Sequence, residues 1–251
     1  MSVAIDYSDR TVLVTGGTKG IGRGIAQRFA DAGADVVVCG RNAPASLVGA
    51  FVECDVREPA SVTAMVERIA QLTGRLDVVI NNAGGAPPAD AATASPNFSR
   101  KVIDLNLVSA IHVSQSAHGV MSHQDTGGSI INIASVSAQR PSPGTAAYGA
   151  AKAGLISFTR SIAVEWAPHV RANAVVVGLV ETELADLHYG GAEGIARVAA
   201  TVPLGRMATP EDVGNACLWL GSPLASYVSG ATIELHGGDQ WPAFLSAATS
   251  P

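Results

Sequence analysis

The residues with the clearest chemical potential lie in one stretch, 135–152, reading SVSAQRPSPGTAAYGAAK. It opens on Ser135, and Tyr148 and Lys152 stand four residues apart at its end. The chain around and beyond them, AAYGAAKAGLISFTRSIAVEWA, is rich in small residues and helical in pattern. On a helix, positions four apart share a face, so a phenol and an ammonium point the same way. A cation beside a phenol favours the phenolate and lowers its pKa from the usual value of about 10. The pair is therefore expected to make Tyr148 acidic enough to exchange protons near neutral pH.

Such a pair needs elements that hold it in place and bring a reacting group to it. Short β-branched runs at 11–15 (TVLVT), 35–39 (DVVVC), 50–54 (AFVEC), 76–81 (LDVVIN), 129–134, 172–177 (ANAVVV) and 231–235 (ATIEL) read as strands. Between them, helical periodicity predicts helices over 21–32, 59–72, 96–121, the stretch from Tyr148 to just before Pro168, and 209–220. Thr209 is placed as the N-cap of the last of these, with Pro210 at its first position. Continuous apolar strands alternating with helices predict an α/β fold: a Rossmann-type, doubly wound parallel sheet covered on both faces. No linker or repeat interrupts it, so residues 1–251 are expected to form a single domain, with an irregular tail over 239–251. Residues 183–207 are mixed in pattern.

The loop after the first strand reads TGGTKGIG from Thr15 to Gly22. Glycines at 16, 20 and 22 let backbone amides approach a pyrophosphate at a helix N-terminus, whose dipole favours an anion. In such folds a carboxylate about 20 residues further on binds the ribose 2′-hydroxyl of NAD, whereas an arginine there accommodates the 2′-phosphate of NADP. Here the second strand exits into Gly40, Arg41 and Asn42, with no acid. Lys19 adds a cation within the glycine loop. Arg41, Lys19 and Asn42 thus point to NADP(H), because a guanidinium grips phosphate with two donors and lysine adds a point charge.

Composition excludes other classes. The formal net charge is −5, which leaves no basic footprint for nucleic acid. No run is apolar and long enough to span a bilayer, and the first residues show no signal-peptide pattern. Cys39, Cys54 and Cys217 lack any metal or disulfide spacing and read as small core residues of a reducing compartment. A cytoplasmic protein without metal, membrane or nucleic-acid partners is expected.

TGGTKGIG, Asp55, the NNAG run 81–84, Asn106, Ser135 and Tyr148-x-x-x-Lys152 occur in an order and at spacings that resemble the short-chain dehydrogenase/reductase family, closest in pattern to its 3-oxoacyl-thioester reductases. The resemblance spans about residues 11–238. It implies that Tyr148 passes a proton to or from the substrate oxygen, that Ser135 hydrogen-bonds the same oxygen, and that Lys152 also binds the cofactor ribose. Asn106 would hold a water in a proton relay to Lys152. The cofactor would contact Thr18 and Ile21 of the glycine loop, Asp55 (through the adenine amino group), Val56, Asn82, Ala83 and Gly84. Family members commonly read P-G-x-x-x-T after the sixth strand; here Val177 replaces the proline, and Val180 and Thr182 remain to meet the carboxamide. Residues 183–207 would form a substrate lid, with Gly190, Gly191 and Gly194 as hinges. The substrate wall would draw on residues 85–88 and 138–143. A homotetramer is implied, with the helix after Tyr148 and the long helix before it as one interface.

These observations predict an oxidoreductase that moves hydride between NADP(H) and a small-molecule ketone or 3-oxoacyl thioester. Dehydrogenation of a steroid, sugar or other secondary alcohol is the alternative. A dinucleotide sensor without turnover would have no need of Ser135, Tyr148 and Lys152 together.

Overall fold

The computed structural model describes residues 5–242. Seven strands lie in one sheet in the order β3-β2-β1-β4-β5-β6-β7, and every pairing is parallel. They are β1 (Thr11–Thr15), β2 (Asp35–Gly40), β3 (Ala50–Glu53), β4 (Val78–Asn81), β5 (Gly128–Ser135), β6 (Val170–Val177) and β7 (Thr232–Leu235). All seven expected strands are present, with ends displaced by one or two residues, which is where strand termini fray. The order reverses between β1 and β4, and ligands of open α/β sheets bind at such a switch point, outside the carboxyl ends of the strands.

Alternating side chains feed two cores. Val12 and Val14 of β1 join Val36, Ile80, Ile131 and Val175 on one face, covered by α1 (Gly20–Asp31) and α8 (Pro210–Gly221) through Ile25, Phe29, Val213 and Leu218. Leu13 joins Val37, Val79, Ile130 and Ala172 on the other, covered by α2 (Pro59–Thr73), α4 (Ser109–Met121) and α5 (Ala146–Glu165). Each such fully buried Ile, Leu or Phe contributes roughly 1.5–3 kcal/mol relative to an exposed one. Between α1 and α8 the fit is close: a Cβ on Gly24 would lie 2.2 Å from the Pro210 Cβ, and one on Gly214 2.6 Å from the Arg28 Cγ. Thr209 and Pro210 start α8 as expected, and Asp212 completes a reciprocal capping box.

One expectation of secondary structure needs correction. The helix expected over 96–121 is divided into α3 (Pro96–Ile103), a π-helical turn over Asp104–Val108, and α4. Residues 183–207 contain two short helices, α6 (Ala185–Tyr189) and α7 (Gly191–Ala199). Gly190 and Gly191 have φ near +80° with open space around them, as a hinge requires. Gly194 does not: it is buried in α7, and a Cβ there would lie 1.6 Å from the Tyr189 carbonyl oxygen, so it serves packing. Among the described residues no helix is long and apolar enough to cross a membrane. The expected tail lies beyond the described residues from 243 onward.

Candidate active site in the nucleotide cleft

β5 ends on Ser135, and the chain then makes a short 3-10 turn over Val136–Ala138. The Ser135 hydroxyl caps this turn by accepting the Ser137 N–H at 3.2 Å. The first turn of α5 returns against it so closely that a Cβ on Gly149 would sit 2.6 Å from the Ser137 carbonyl oxygen. This approach sets the neighbouring Tyr148 beside Ser135 in the wall of the cleft. One helical turn on, Lys152 is buried, and its Nζ donates to the Ile133 carbonyl oxygen at 2.8 Å. The ammonium lies 5.7 Å from the centre of the Tyr148 ring. Ser135, Tyr148 and Lys152 therefore converge at the end of β5.

The electrostatics of the pair differ from the expectation. Burial pushes the Lys152 ammonium down to about 8. Burial also raises the Tyr148 phenol, and the neighbouring Ser135 hydroxyl only partly opposes this. Without a ligand's charge, desolvation outweighs the lysine, and Tyr148 is held as a protonated phenol.

Beneath the pair, four polar side chains connect the layers. The Asn81 amide donates to the Asn132 oxygen at 2.8 Å and to the Ser114 hydroxyl at 2.9 Å. The Asn132 amide donates in turn to Thr159 of α5 at 2.8 Å. These bonds tie α4, β4, β5 and α5 together below the site. Asn106 lies in the π-helical turn and does not line the cleft. Its Nδ2 donates to the Val102 carbonyl, the oxygen that its own backbone amide would take in an α-helix. It also donates to the Gly85 carbonyl at 2.9 Å, and its Oδ1 accepts the Gly85 N–H at 2.8 Å. That double clamp accounts for the break in the helix. Gly84 sits between Asn106 and Lys152: a Cβ there would lie 2.6 Å from the Asn106 oxygen and 3.3 Å from the Lys152 Nζ.

The glycine loop is tied to the same strand ends. Thr15 Oγ1 accepts the Asn82 and Ala83 amides at 3.0 Å each, and the Asn82 amide side chain donates to the Thr15 carbonyl at 2.9 Å. Gly16 and Gly20 take φ of +63° and +53°, a left-handed backbone that favours glycine. Lys19 stands before α1 without capping it, and the first turn of α1 has no acidic residue of its own. Instead Glu183, from beyond β6, accepts the Gly20 N–H at 2.9 Å.

A cleft of about 840 Å3 runs across these strand ends. It is lined by Gly16, Thr18, Lys19, Gly20, Ile21 and Gly22 at its centre, by Arg41, Asn42, Asp55 and Val56 at one end, and by Asn82, Ala83, Gly84, Ser135, Tyr148 and Lys152 at the other. Thr182 lines it too, whereas Val180 does not; the Val180 backbone pairs with Ala208. The Glu181 N–H donates to the Ala208 carbonyl and the Ala208 N–H to the Leu179 carbonyl, so the segment between is pinned at its neck. Volume, left-handed glycines and a helix N-terminus in the middle fit a dinucleotide with its pyrophosphate over Gly20.

Residue types alone did not bring out three further groups in the cleft wall. Arg57 holds the Asp55 carboxylate through Nε at 2.9 Å and through NH2, and this pairing lowers the Asp55 carboxyl to about 2. The spacing D-x-R was the available signal. Cys39 and Cys54 are buried as expected, and both line the cleft wall. There Cys39 and Ser61 lower the Cys54 thiol to about 7. Glu183 is the third. A separate apolar pocket of about 80 Å3, lined by Ala86, Pro87, Phe98, Val102 and Ala147, adjoins the cleft, and Tyr148 lines both.

The comparisons with known proteins agree with this geometry. Residues 16–239 match the family model described as enoyl-(acyl carrier protein) reductase. A 3-oxoacyl-(acyl-carrier-protein) reductase of Chlamydia pneumoniae is 35% identical over 243 residues, covering 91% of this chain and 96% of that protein. A 3alpha-hydroxysteroid dehydrogenase of Mediterraneibacter gnavus is 31% identical over 246 residues, covering 91% of this chain and 96% of that protein. Among solved structures, the ligand-free aldohexose dehydrogenase of Thermoplasma acidophilum superposes with a TM-score of 0.89 at 32% identity, covering 97% of this chain and 98% of that one. With the fold, the glycine loop and the matched length all in agreement, the chain belongs to the short-chain dehydrogenase/reductase family of oxidoreductases.

Proposed function

We propose that this protein reduces a ketone or a 3-oxoacyl thioester with NADPH, and that Ser135, Tyr148 and Lys152 carry the proton chemistry. The observation that carries the proposal is the convergence of Ser135, Tyr148 and buried Lys152 in the wall of one cleft, where burial raises the Tyr148 phenol. NADP(H), when bound, supplies the hydride for reduction and its oxidised form accepts one in the reverse direction. Tyr148, protonated at neutral pH, donates its proton to the carbonyl oxygen as that carbon gains hydride. Ser135 fixes the oxygen by hydrogen bonding as its charge develops. Lys152 restores the proton of Tyr148, and Asn106 holds the chain of Gly85 and Val102 so that a water can reach Lys152. The same groups run in reverse for a secondary alcohol, as expected for a steroid or sugar dehydrogenase; the hydroxysteroid and aldohexose relatives favour keeping that second reading.

The preference for NADP(H) rests on exposed Arg41 at the exit of β2, where the strand-end sequence carries no acid, and on exposed Lys19 in the glycine loop. The cofactor would further contact Gly16, Thr18, Gly20, Ile21, Gly22, Asn42, Asp55, Val56, Asn82, Ala83, Gly84 and Thr182. For Asp55 the adenine contact would be made by a carboxylate already oriented by Arg57. Association as a homotetramer is part of the proposal, supported by the outer face of α5, where Val164 is 80% exposed. The test is a panel of an acetoacetyl thioester, a diketone, a steroid ketone and an aldose, each with NADPH and with NADH. Consumption of NADPH with the thioester or diketone is expected. Turnover confined to the aldose or the steroid would replace this reading with the second, and no turnover on any substrate would overturn both.

A further inference from the structure

Glu183 stands where a ligand's phosphate is expected to sit. Its Oε1 accepts the Gly20 amide, the first residue of α1, and its Oε2 lies 3.9 Å from where a Gly20 Cβ would be. The donor and acceptor are 163 residues apart in the chain, so the contact is tertiary and links the start of the lid to the glycine loop. No side chain of the loop caps α1, and its first turn has no acid. The helix N-terminus is therefore satisfied by one anion, delivered from across the cleft. A pyrophosphate needs the same amide and carries the same sign of charge.

We propose that Glu183 is a built-in competitor for the phosphate seat of this cleft. Its carboxylate holds the Gly20 amide until a dinucleotide pyrophosphate displaces it, and so sets how tightly the dinucleotide is retained. The proposal rests on the reading of the cleft as a dinucleotide site. It makes Glu183 a residue that tunes cofactor exchange, without touching the reacting atoms. Removing its charge removes the competitor and the repulsion together, because a carboxylate acceptor bonds an amide about twice as strongly as a neutral one.

The test is calorimetric binding of NADP+, NAD+, ADP-ribose and 2′-AMP to the wild-type protein, to Glu183→Gln and to Glu183→Ala. The glutamine variant keeps the size of the side chain, and matching melting temperatures establish that both variants are folded. Tightening by about five-fold or more is expected for the three ligands that carry a pyrophosphate, with the same factor for each. For 2′-AMP, which lacks one, the affinity should stay unchanged. Unchanged or weaker binding of the three, or equal tightening of 2′-AMP, would overturn the proposal. So would a protein that binds no dinucleotide at all, since the seat would then not exist. Failure to turn over any ketone would strike the proposed activity and leave these binding constants standing.

Discussion

At one end of the cleft the charged groups stand in solvent: Arg41 and Lys19 are exposed at the mouths of β2 and β1. At the other end Lys152 is 3% exposed, and Tyr148 is packed between the cleft and an apolar pocket. The two ends use charge differently. An exposed cation keeps its ordinary charge and contributes binding through direct contact, which water and salt weaken. A buried pair is tuned by desolvation first and by its neighbours second. That is why Lys152 is lowered and Tyr148 raised, although each alone would be expected to assist the other's ionised form. On the proposed function, charge would serve grip at the first end and proton transfer at the second.

The largest effect should come from the buried end. Tyr148→Phe is expected to reduce turnover by about 10²–10⁴-fold, the usual worth of a positioned acid, while the dissociation constant for NADP+ stays within a factor of about two. Steady-state kinetics and calorimetry on one preparation check this, and normal turnover would remove proton transfer from this end. At the exposed end, Arg41→Asp should raise the KM for NADPH by roughly 10–100-fold, as loss of a charge-assisted contact implies, with much less effect on NADH. If both cofactors respond alike, the contrast between grip and chemistry fails at that end.

The smallest effect is on stability and follows from Lys152 alone. Its folded-state pKa of about 8 lies below the ordinary lysine value of 10.5. Between these values the unfolded chain binds more protons, so unfolding becomes harder as pH rises. The burial penalty is fully present below about pH 8 and disappears by pH 10.5. At about 1.36 kcal/mol per unit the whole change is at most roughly 3 kcal/mol. Lys152→Met should therefore be more stable than wild type near pH 7, with the gap in urea midpoint closing toward pH 10. A gap independent of pH would show that Lys152 is not desolvated as described.

Local patterns in the chain were enough for the strands, the start of α8 at Thr209 and Pro210, and the glycine loop, because each depends on neighbours in sequence. The spacing of Tyr148 and Lys152 likewise placed both on one helical face. What sequence reading missed depends on distant partners. The π-helical turn exists because Asn106 clamps the Gly85 backbone, 21 residues away. The direction of the Tyr148 shift depends on burial by strands and helices from across the chain. Gly194 has the composition of a hinge and the environment of a packing site, and only its closeness to Tyr189 separates the two. Glu183 looked like one acid among several in a mixed segment; its partner lies at the other end of the domain. Arg57 is the exception, since a partner two residues from Asp55 was within reach of a local argument.

The neck at Val180 and Ala208 bears on how much change the segment between them can absorb. Because hydrogen bonds pin both ends of the intervening segment to each other, its contour can vary while the frame on either side stays still. Lengthening such a closed loop adds little entropic cost, about 0.6 kcal/mol for each doubling. The segment is in that sense a replaceable cassette. Insertions in its exposed turns need not disturb the strand ends that hold Ser135, Tyr148 and Lys152, provided that Glu183 continues to meet the glycine loop and Ala185, Val202 and Met207 keep their buried places.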